Sequence, residues 1–496
     1  MTPPARRALL RGMALALAVI LPVLLARCSG APAGAKPNVL LITVDTLRLD
    51  RIGAYGGPPE STPSIDTLAG QGVRFASVQG PRGLTWPSLT TLLTGLQPRT
   101  HGVRANGAML EEGFRTLPEV LRSAGWKTAG FLANMCDAPN RGLDEFFCAW
   151  WEKTGPPPRR TRFQWASHEQ AAWDESVTRH AIEFIGGRHE RPFFAWVHYI
   201  DPHKPFDPVP EFASPIVDGS FQPDDATLDA LTLGPTPMTA AQRAQLFAIY
   251  DSQVKGVDAK IGRLLAALRD AGRENDTLVI FSADHGEELG DHAVYFHHLC
   301  SVYQQVLAVP LILRWPGQLP AGRVVEADAA LVDATPTVLD LLGVPTALPF
   351  EGASRAGLAR GTPGASGADA TFSEWSDRMV IVGEGKWRYI WNPKQVVPEC
   401  LPFTRSETVH FPVAAEELYD LESDPSQRSN VVASRPDRAA EMRGRACEFV
   451  TEKEFRRRNF DQVPTEVRER LESLGYLEGE VADTGPPLSS FCPSAP

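Results

Sequence analysis

Continuous apolar, β-branched runs of strand length recur along the chain at Asn38–Val44, Thr128–Ala133, Phe193–His198, Leu278–Ser282 and Val309–Leu313. They do not alternate with polar residues, and unbroken runs of this kind suit strands buried on both faces. Stretches with helical periodicity separate them. The clearest is Thr239–Ala271, where Leu246, Ile249, Tyr250, Val254, Val257, Ile261, Leu264 and Leu265 keep helical spacing and Gly272 follows as a stop. A further helix is expected after Leu84. Pro87 suits its first turn, and Leu89, Leu92, Leu93 and Leu96 supply one apolar face. Strands alternating with helices predict an α/β fold with a mostly parallel central sheet flanked by helices.

The two ends of the chain read differently. Arg6, Arg7 and Arg11 precede an apolar run from Met13 to Ala26. That run is short of the roughly 20 residues needed to span a bilayer and has the form of an export signal. Leu25-Ala26-Arg27-Cys28 resembles the lipobox of bacterial lipoproteins, which would place a lipid anchor on Cys28. Secretion with cleavage after Ala33-Gly34-Ala35 is the alternative. Either route delivers the chain from about Lys36 onward outside the cytoplasm, periplasmic or anchored in the cell envelope. Gly361–Asp369, rich in Gly, Ala and Ser, marks a soft boundary. Beyond it, Met379–Val382 and Trp387–Trp391 flank Gly383-Glu384-Gly385-Lys386 as a hairpin. The expected organisation is a signal in 1–35, a catalytic domain over 36–360, a small α+β subdomain over 370–480 and a loose tail over 482–496.

Composition narrows the function. A chain of 496 residues with 43% hydrophobic and 22% charged residues is globular, not disordered or fibrous. Its net charge of −11 is spread along the chain with no basic stripe, which excludes a dedicated nucleic-acid binder. No bundle of membrane helices is encoded. Setting Cys28 aside, an even number of cysteines in an exported chain suggests disulfides, with Cys136–Cys148 and Cys400–Cys447 the nearest pairs.

Candidate chemistry collects at predicted strand ends, where open α/β sheets bind ligands. Asp45 ends the first strand, and Asp284-His285 follows Leu278–Ser282. His198 and His203 stand near the end of the Phe193 strand. Singly, these residues read as a helix cap, a polar turn and hydrogen-bonded structural histidines. Together, carboxylate plus imidazole is a natural ligand set for zinc or manganese. Thr85 lies at or next to the N-cap of the Pro87 helix. It is an ordinary cap in one reading, and in the other a hydroxyl at the positive end of a helix dipole, suited to an anionic substrate.

From Pro37 to about Tyr476 the chain resembles the sulfatase family of the alkaline phosphatase superfamily. The resemblance is carried by Pro37–Gly56, Thr85–Gly102, Asp201–Phe206, Asp284–Glu287, His297, Val332–Thr337, Glu417–Leu421 and Asp424-Pro425. It implies an alkaline phosphatase-like fold with Asp45, Thr85, Asp284 and His285 around one divalent metal ion, zinc or manganese ahead of calcium. It further implies Thr85 as nucleophile, His203 and His297 as catalytic and substrate-binding groups, and Asn134 as a substrate contact. Glu287 would fix the loop, with His101, Asp291 and His292 as turn and packing residues. Asp201, His198, His203 and His297 offer in principle a second metal site. The departures are specific. Sulfatases proper carry Cys or Ser within Cys/Ser-x-Pro-Ser-Arg and oxidise it to formylglycine; here Thr85 and Leu89 stand at those positions, so no formylglycine is expected. Thr with Asp-His resembles phosphoryl-handling relatives. The expectation is a metal-dependent hydrolase of a small-molecule, glycan or lipid anionic ester, phosphate or phosphonate ahead of sulfate. The alternatives are a sulfatase without formylglycine, a phosphoryl transferase to envelope lipid or glycan, and an inactive binding protein.

Overall fold

A computed structural model describes residues 36–149, 169–292, 298–452 and 486–493, except 135, 137–139, 205, 222, 225–226, 229, 232–237, 398, 401–408 and 411–412. The expected export signal with Cys28, and His297, lie outside the described residues.

Nine strands begin the fold: β1 (Asn38–Val44), β2 (Val73–Phe75), β3 (Val78–Gln79), β4 (Lys127–Leu132), β5 (Glu145–Cys148), β6 (Phe193–Tyr199), β7 (Thr277–Ala283), β8 (Leu311–Arg314) and β9 (Arg323–Val325). All but β3 form one sheet in the order β5-β4-β6-β1-β7-β8-β2-β9. Only β8 runs antiparallel to its neighbours. β1 lies between β6 and β7 with Val44 level with both Tyr199 and Ala283. Three strands therefore end at one height, and the residues that follow them meet. Val39, Leu40, Leu41 and Ile42 of β1 are fully buried. Each such side chain stabilises the fold by roughly 1.5–3 kcal/mol, so this strand can hold a buried Asp45 at its end despite the cost of desolvating a carboxylate.

Flanking helices tie the strand ends down. The helix Ala240–Asp270 starts with Thr239 at its N-cap, where Thr239 and Gln242 cap each other reciprocally. Its Tyr250 hydroxyl donates to the Thr46 carbonyl at 2.6 Å and accepts from the Arg48 amide at 2.9 Å. Its Asp258 carboxylate accepts from the amides of Ser64 and Ile65, closing the N-terminus of the helix Pro63–Gly70. The predicted helix after Leu84 spans Thr85–Thr94; Leu84 is the N-cap and Thr85 the first helical residue.

The predicted hairpin belongs to a second, antiparallel sheet of Thr371–Trp375, Met379–Glu384, Trp387–Trp391 and Glu416–Asp420. Side chains alternate across it. Val380 and Val382 pack against Ala439, Met442 and Phe449 of the helix Pro436–Glu452, while Met379 and Ile381 pack against Tyr303 and Val306. Of the expected disulfides, Cys136–Cys148 forms. The Cys400–Cys447 expectation is wrong: Cys447 pairs with Cys492, because the Pro436–Glu452 helix packs on the short Leu488–Phe491 turn and brings the C-terminal segment to it. Sequence proximity was a poor guide to spatial proximity. Among the described residues, no helix is long and apolar enough to cross a membrane.

Candidate active site

Asp45, Asp284 and His285 converge beyond the ends of β1 and β7, fully buried, with their ligand atoms within 4.8 Å of one another. Each carboxylate has one oxygen fixed and one left over. Asp45 Oδ2 accepts from the Asn134 side-chain amide at 3.2 Å, and Asp284 Oδ1 accepts from the amides of Thr46 and His285 at 3.1 and 2.7 Å. Asp45 Oδ1 and Asp284 Oδ2 have no hydrogen-bond partner among the described residues. They lie 3.9 and 3.5 Å from His285 Nε2. His285 Nδ1–H donates to the Gly286 carbonyl at 2.9 Å, which leaves the Nε2 lone pair facing the two free oxygens.

The backbone is forced into this shape. Thr46 has a φ of 52°, left-handed for a β-branched residue, and is held there by the Asp284 carboxylate on its amide and Tyr250 on its carbonyl. Gly286 is required by crowding, since a Cβ there would stand 2.0 Å from the Gln305 carbonyl. Burial pushes the Asp45 and Asp284 carboxyls up, and repulsion from Asp284 adds to the effect on Asp45. Two buried carboxylates with uncompensated oxygens and an oriented imidazole lone pair fit a divalent cation.

Thr85 stands beside this cluster, fully buried, its Oγ1 3.5 Å from His285 Nε2. The Trp86 amide, next in the helix, donates to Asn106 Oδ1 at 2.9 Å, and Ser88 Oγ donates to the Arg82 carbonyl at 2.7 Å. These bonds fix the first turn, and Leu89, Leu92 and Leu93 anchor it in the core. Leu89 is fully buried among apolar neighbours.

Two further histidines stand near His285. His203 follows β6, donating from Nδ1 to the Lys204 carbonyl at 2.8 Å. Its ring lies 5.5 Å from that of His298, which is 4.5 Å from that of His285. His298 was not singled out from the sequence. The tandem His297-His298 was the available signal; His298 opens the short turn His298–Cys300, and His297 lies outside the described residues. His298 Nδ1 bonds Glu287 Oε2 at 2.8 Å, and its Nε2 has no partner among the described residues. Burial pushes both His203 and His298 down, each helped by neighbouring imidazole and by Lys204. Lys204, itself buried, was also missed, although it sits within the Asp-Pro-His-Lys run.

Other candidates point elsewhere. His198 Nδ1 bonds Thr43 Oγ1 at 2.9 Å, and burial lowers its imidazole to about 3, which keeps it neutral. Asp201 faces Lys260 at 3.9 Å. These two and His203 therefore share no ligand centre among the described residues. His101 bonds Thr91 and the Val103 amide, Asp291 pairs with Arg48 and Arg243, and His292 stacks on Tyr303.

A sheet presenting buried carboxylates, imidazoles and a helix-start hydroxyl beyond its strand ends is the layout of a metal-assisted ester hydrolase. The family model for sulfatases matches residues 37–344, and the chain belongs to the sulfatase family. It is similar to the Delta 4,5-hexuronate-2-O-sulfatase of Bacteroides thetaiotaomicron, 25% identical over 92% of this chain and 97% of that one. It is equally similar to the multifunctional alkaline phosphatase superfamily protein PehA of Trinickia caryophylli, 25% identical over 88% of this chain and 99% of that one. Its fold matches the crystal structure of the phosphonate monoester hydrolase of Agrobacterium radiobacter with a TM-score of 0.63 and 24% identity, covering 84% of this chain and 95% of that one. The chain is thus a sulfatase-family hydrolase of sulfate or phosphate esters, with an alkaline phosphatase-like fold, and enzymes of this fold depend on a metal.

Proposed function

We propose that the chain hydrolyses an anionic ester by in-line attack of Thr85 Oγ1, and that phosphate or phosphonate esters turn over faster than sulfate esters. The observation that carries the reading is the threonine hydroxyl at the first helical position, 3.5 Å from His285 Nε2 beside the two uncompensated carboxylate oxygens. Asp45, Asp284, His285 and Thr85 would hold one divalent ion, zinc or manganese ahead of calcium, which when bound neutralises ester oxygens and lowers the pKa of a hydroxyl.

The chain's own residues do the rest. The Thr85 helix N-terminus and Lys204 favour the anionic group where it meets the hydroxyl. Thr85 forms its new bond to phosphorus as the bond to the leaving oxygen breaks, giving a threonine ester. His298, with Nδ1 on the Glu287 carboxylate, would pass a proton from Nε2 to the leaving oxygen, and His203, its ring 5.5 Å away, would share that task. Water then opens the threonine ester at phosphorus. Asn134 orients Asp45 and would contact a substrate oxygen. Leu89 presents no cation beside the nucleophile, which weakens the case for sulfate. A formylglycine-free sulfatase is the second reading, favoured by the similarity to the hexuronate sulfatase over nearly the whole chain. The substrate would be a small molecule or a glycan or lipid ester. The disulfides Cys136–Cys148 and Cys447–Cys492 support work outside the cytoplasm, as an exported or Cys28-anchored protein.

The test is kcat/KM for 4-nitrophenyl phosphate, a phosphodiester, a phosphonate monoester and 4-nitrophenyl sulfate on metal-replete protein, with Thr85→Ala alongside. Thr85→Ala should lose at least about a thousandfold in turnover while melting normally. Preference for sulfate overturns the phosphate reading, and near-normal activity of Thr85→Ala removes it as nucleophile.

A further inference from the structure

The disulfide Cys136–Cys148 begins two residues after Asn134, whose side-chain amide donates to Asp45 Oδ2 at 3.2 Å. Among the described residues that is the one hydrogen bond to the Asp45 carboxylate, since Oδ1 has no partner there. Asn134 is itself buried, and its own Oδ1 has no hydrogen-bond partner among the described residues. Its side chain therefore has no second hydrogen bond to orient it. The amide points where the backbone of residue 134 sends it, and Asp45 follows the amide.

That backbone is fixed on both sides of Asn134, and both anchors involve Cys148. On one side, Leu132 ends β4 level with Cys148 of β5 and with His198 of β6, and the Ala133 amide bonds the His198 carbonyl at 3.0 Å. On the other side, Cys136 is joined covalently to Cys148 across a sequence separation of 12. Between the two, the Asn134 carbonyl oxygen lies 3.9 Å from Cys148 Sγ. Both cysteines are buried. β5 is the edge strand of the sheet, and its ladder with β4 ends at the Leu132 pair. Beyond that pair the covalent bond holds Cys136, and with it Asn134, against β5. We propose that Cys136 and Cys148 are positioning residues for metal binding. Their disulfide sets Asn134 on Asp45 Oδ2, which keeps Oδ1 on the side of His285 Nε2, 3.9 Å away, and so raises the affinity for a divalent ion. The inference rests on the reading that Asp45, Asp284 and His285 hold that ion. Hydrogen-bond partners of metal ligands are worth about 10–100-fold in affinity, so the effect is large enough to measure.

The test is calorimetric titration of manganese into the metal-free full chain; manganese prefers oxygen ligands, so freed thiols compete little for it. Cys136→Ala with Cys148→Ala should raise Kd about tenfold, and Asn134→Leu, which keeps the disulfide, should do the same. Combined, the three changes should cost little more than either set alone, because both break one chain of contacts. Cys447→Ala with Cys492→Ala is the control for a lost disulfide, and it should lower Tm while leaving Kd unchanged. Where the Cys136 and Cys148 variant fails to fold, folded wild-type protein is reduced with a phosphine, which is removed before titration. The Sγ–Sγ bond breaks, two thiols form, and the phosphine takes the oxygen of one water to become its oxide. Alkylation and mass spectrometry then show that Cys136 and Cys148 are the thiols formed. A Kd unchanged by loss of this disulfide, a Kd unchanged in Asn134→Leu, or losses that simply add overturns the proposal. Wild-type protein that binds no manganese overturns the metal reading as well. Wild-type protein that binds it no better than the variants overturns this proposal alone.

Discussion

His298 Nδ1 lies 2.8 Å from Glu287 Oε2, and the ring held by this bond stands 4.5 Å from that of His285. Glu287 is fully buried, and burial raises its carboxyl to about 7. Burial also holds the His298 imidazole below its usual range, so the Glu287 carboxylate would act by fixing the ring and stabilising an imidazolium formed only as the proton is in transit. If His298 protonates the leaving oxygen, the loss in His298→Gln should depend on the leaving group. We expect about a hundredfold or more in kcat for an alkyl ester, and much less for a 4-nitrophenyl ester whose phenolate leaves unaided. Glu287→Gln should show the same pattern with a smaller amplitude. Equal losses on both esters would remove proton donation from the role of His298.

Much of this site could be read from residues adjoining strong apolar runs. Asp45 and Asp284 were legible because Val39–Ile42 and Leu278–Ala283 have no plausible place other than a buried sheet, which fixes where the next residue emerges. Thr85 was legible through Pro87 and the leucine spacing. His298 was not. It is held by a three-residue turn and by Glu287, contacts that no periodicity encodes. The Cys447–Cys492 pair failed for a related reason: it depends on a long-range return of the chain to a helix. The antiparallel insertion of β8 between β7 and β2 is likewise invisible in an apolar run, which reads the same in either direction.

Removal of metal should register in stability as well as turnover. The free oxygens of Asp45 and Asp284 share a buried space with His285 Nε2, and neither oxygen has a hydrogen-bond partner among the described residues. An ion bound only by the native state contributes about 4 kcal/mol at a thousandfold excess over its Kd. Chelation should therefore lower Tm and abolish ester turnover, and zinc or manganese should restore both. Asp284→Asn, which weakens the site, should narrow the gap in Tm between loaded and stripped protein. Identical melting curves with and without chelator would show that these oxygens do not hold an ion.

The loop bearing His203 depends on a residue remote from the chemistry. Asp174, in the helix Glu169–Gly186, accepts from the amides of Ile200 and Asp201 at 2.9 and 3.1 Å. Asp174→Ala leaves two buried amides without acceptors, at about 1–3 kcal/mol each, and unties the segment that places His203 and Lys204. Tm and kcat should both fall. Asp174→Asn keeps one acceptor and should recover part of each. A variant that loses Tm but keeps full kcat would make Asp174 a packing residue only.

Asp258 predicts a pH dependence that can be isolated from the rest of the chain. Its carboxylate accepts from the Ser64 and Ile65 amides, yet burial outweighs these bonds and raises the group from 3.8 to about 6. A folded-state value above the unfolded one means that the native state holds the proton more tightly. The associated stability is fully present below pH 3.8 and is lost as pH rises through 6. A shift of that size corresponds to roughly 3 kcal/mol between acid and neutral conditions. Asp258→Asn cannot ionise, and its single carbonyl oxygen replaces two acceptors, so near pH 4 it should be the less stable protein. Between about pH 4 and pH 8 the variant should gain on the wild type, closing or reversing that gap as Asp258 ionises in the wild type alone. Urea midpoints measured for both proteins across this range give the difference directly, since other titrating groups are common to the two. A difference that stays constant with pH would mean that Asp258 has no raised pKa, and that the two amide bonds, not burial, govern it.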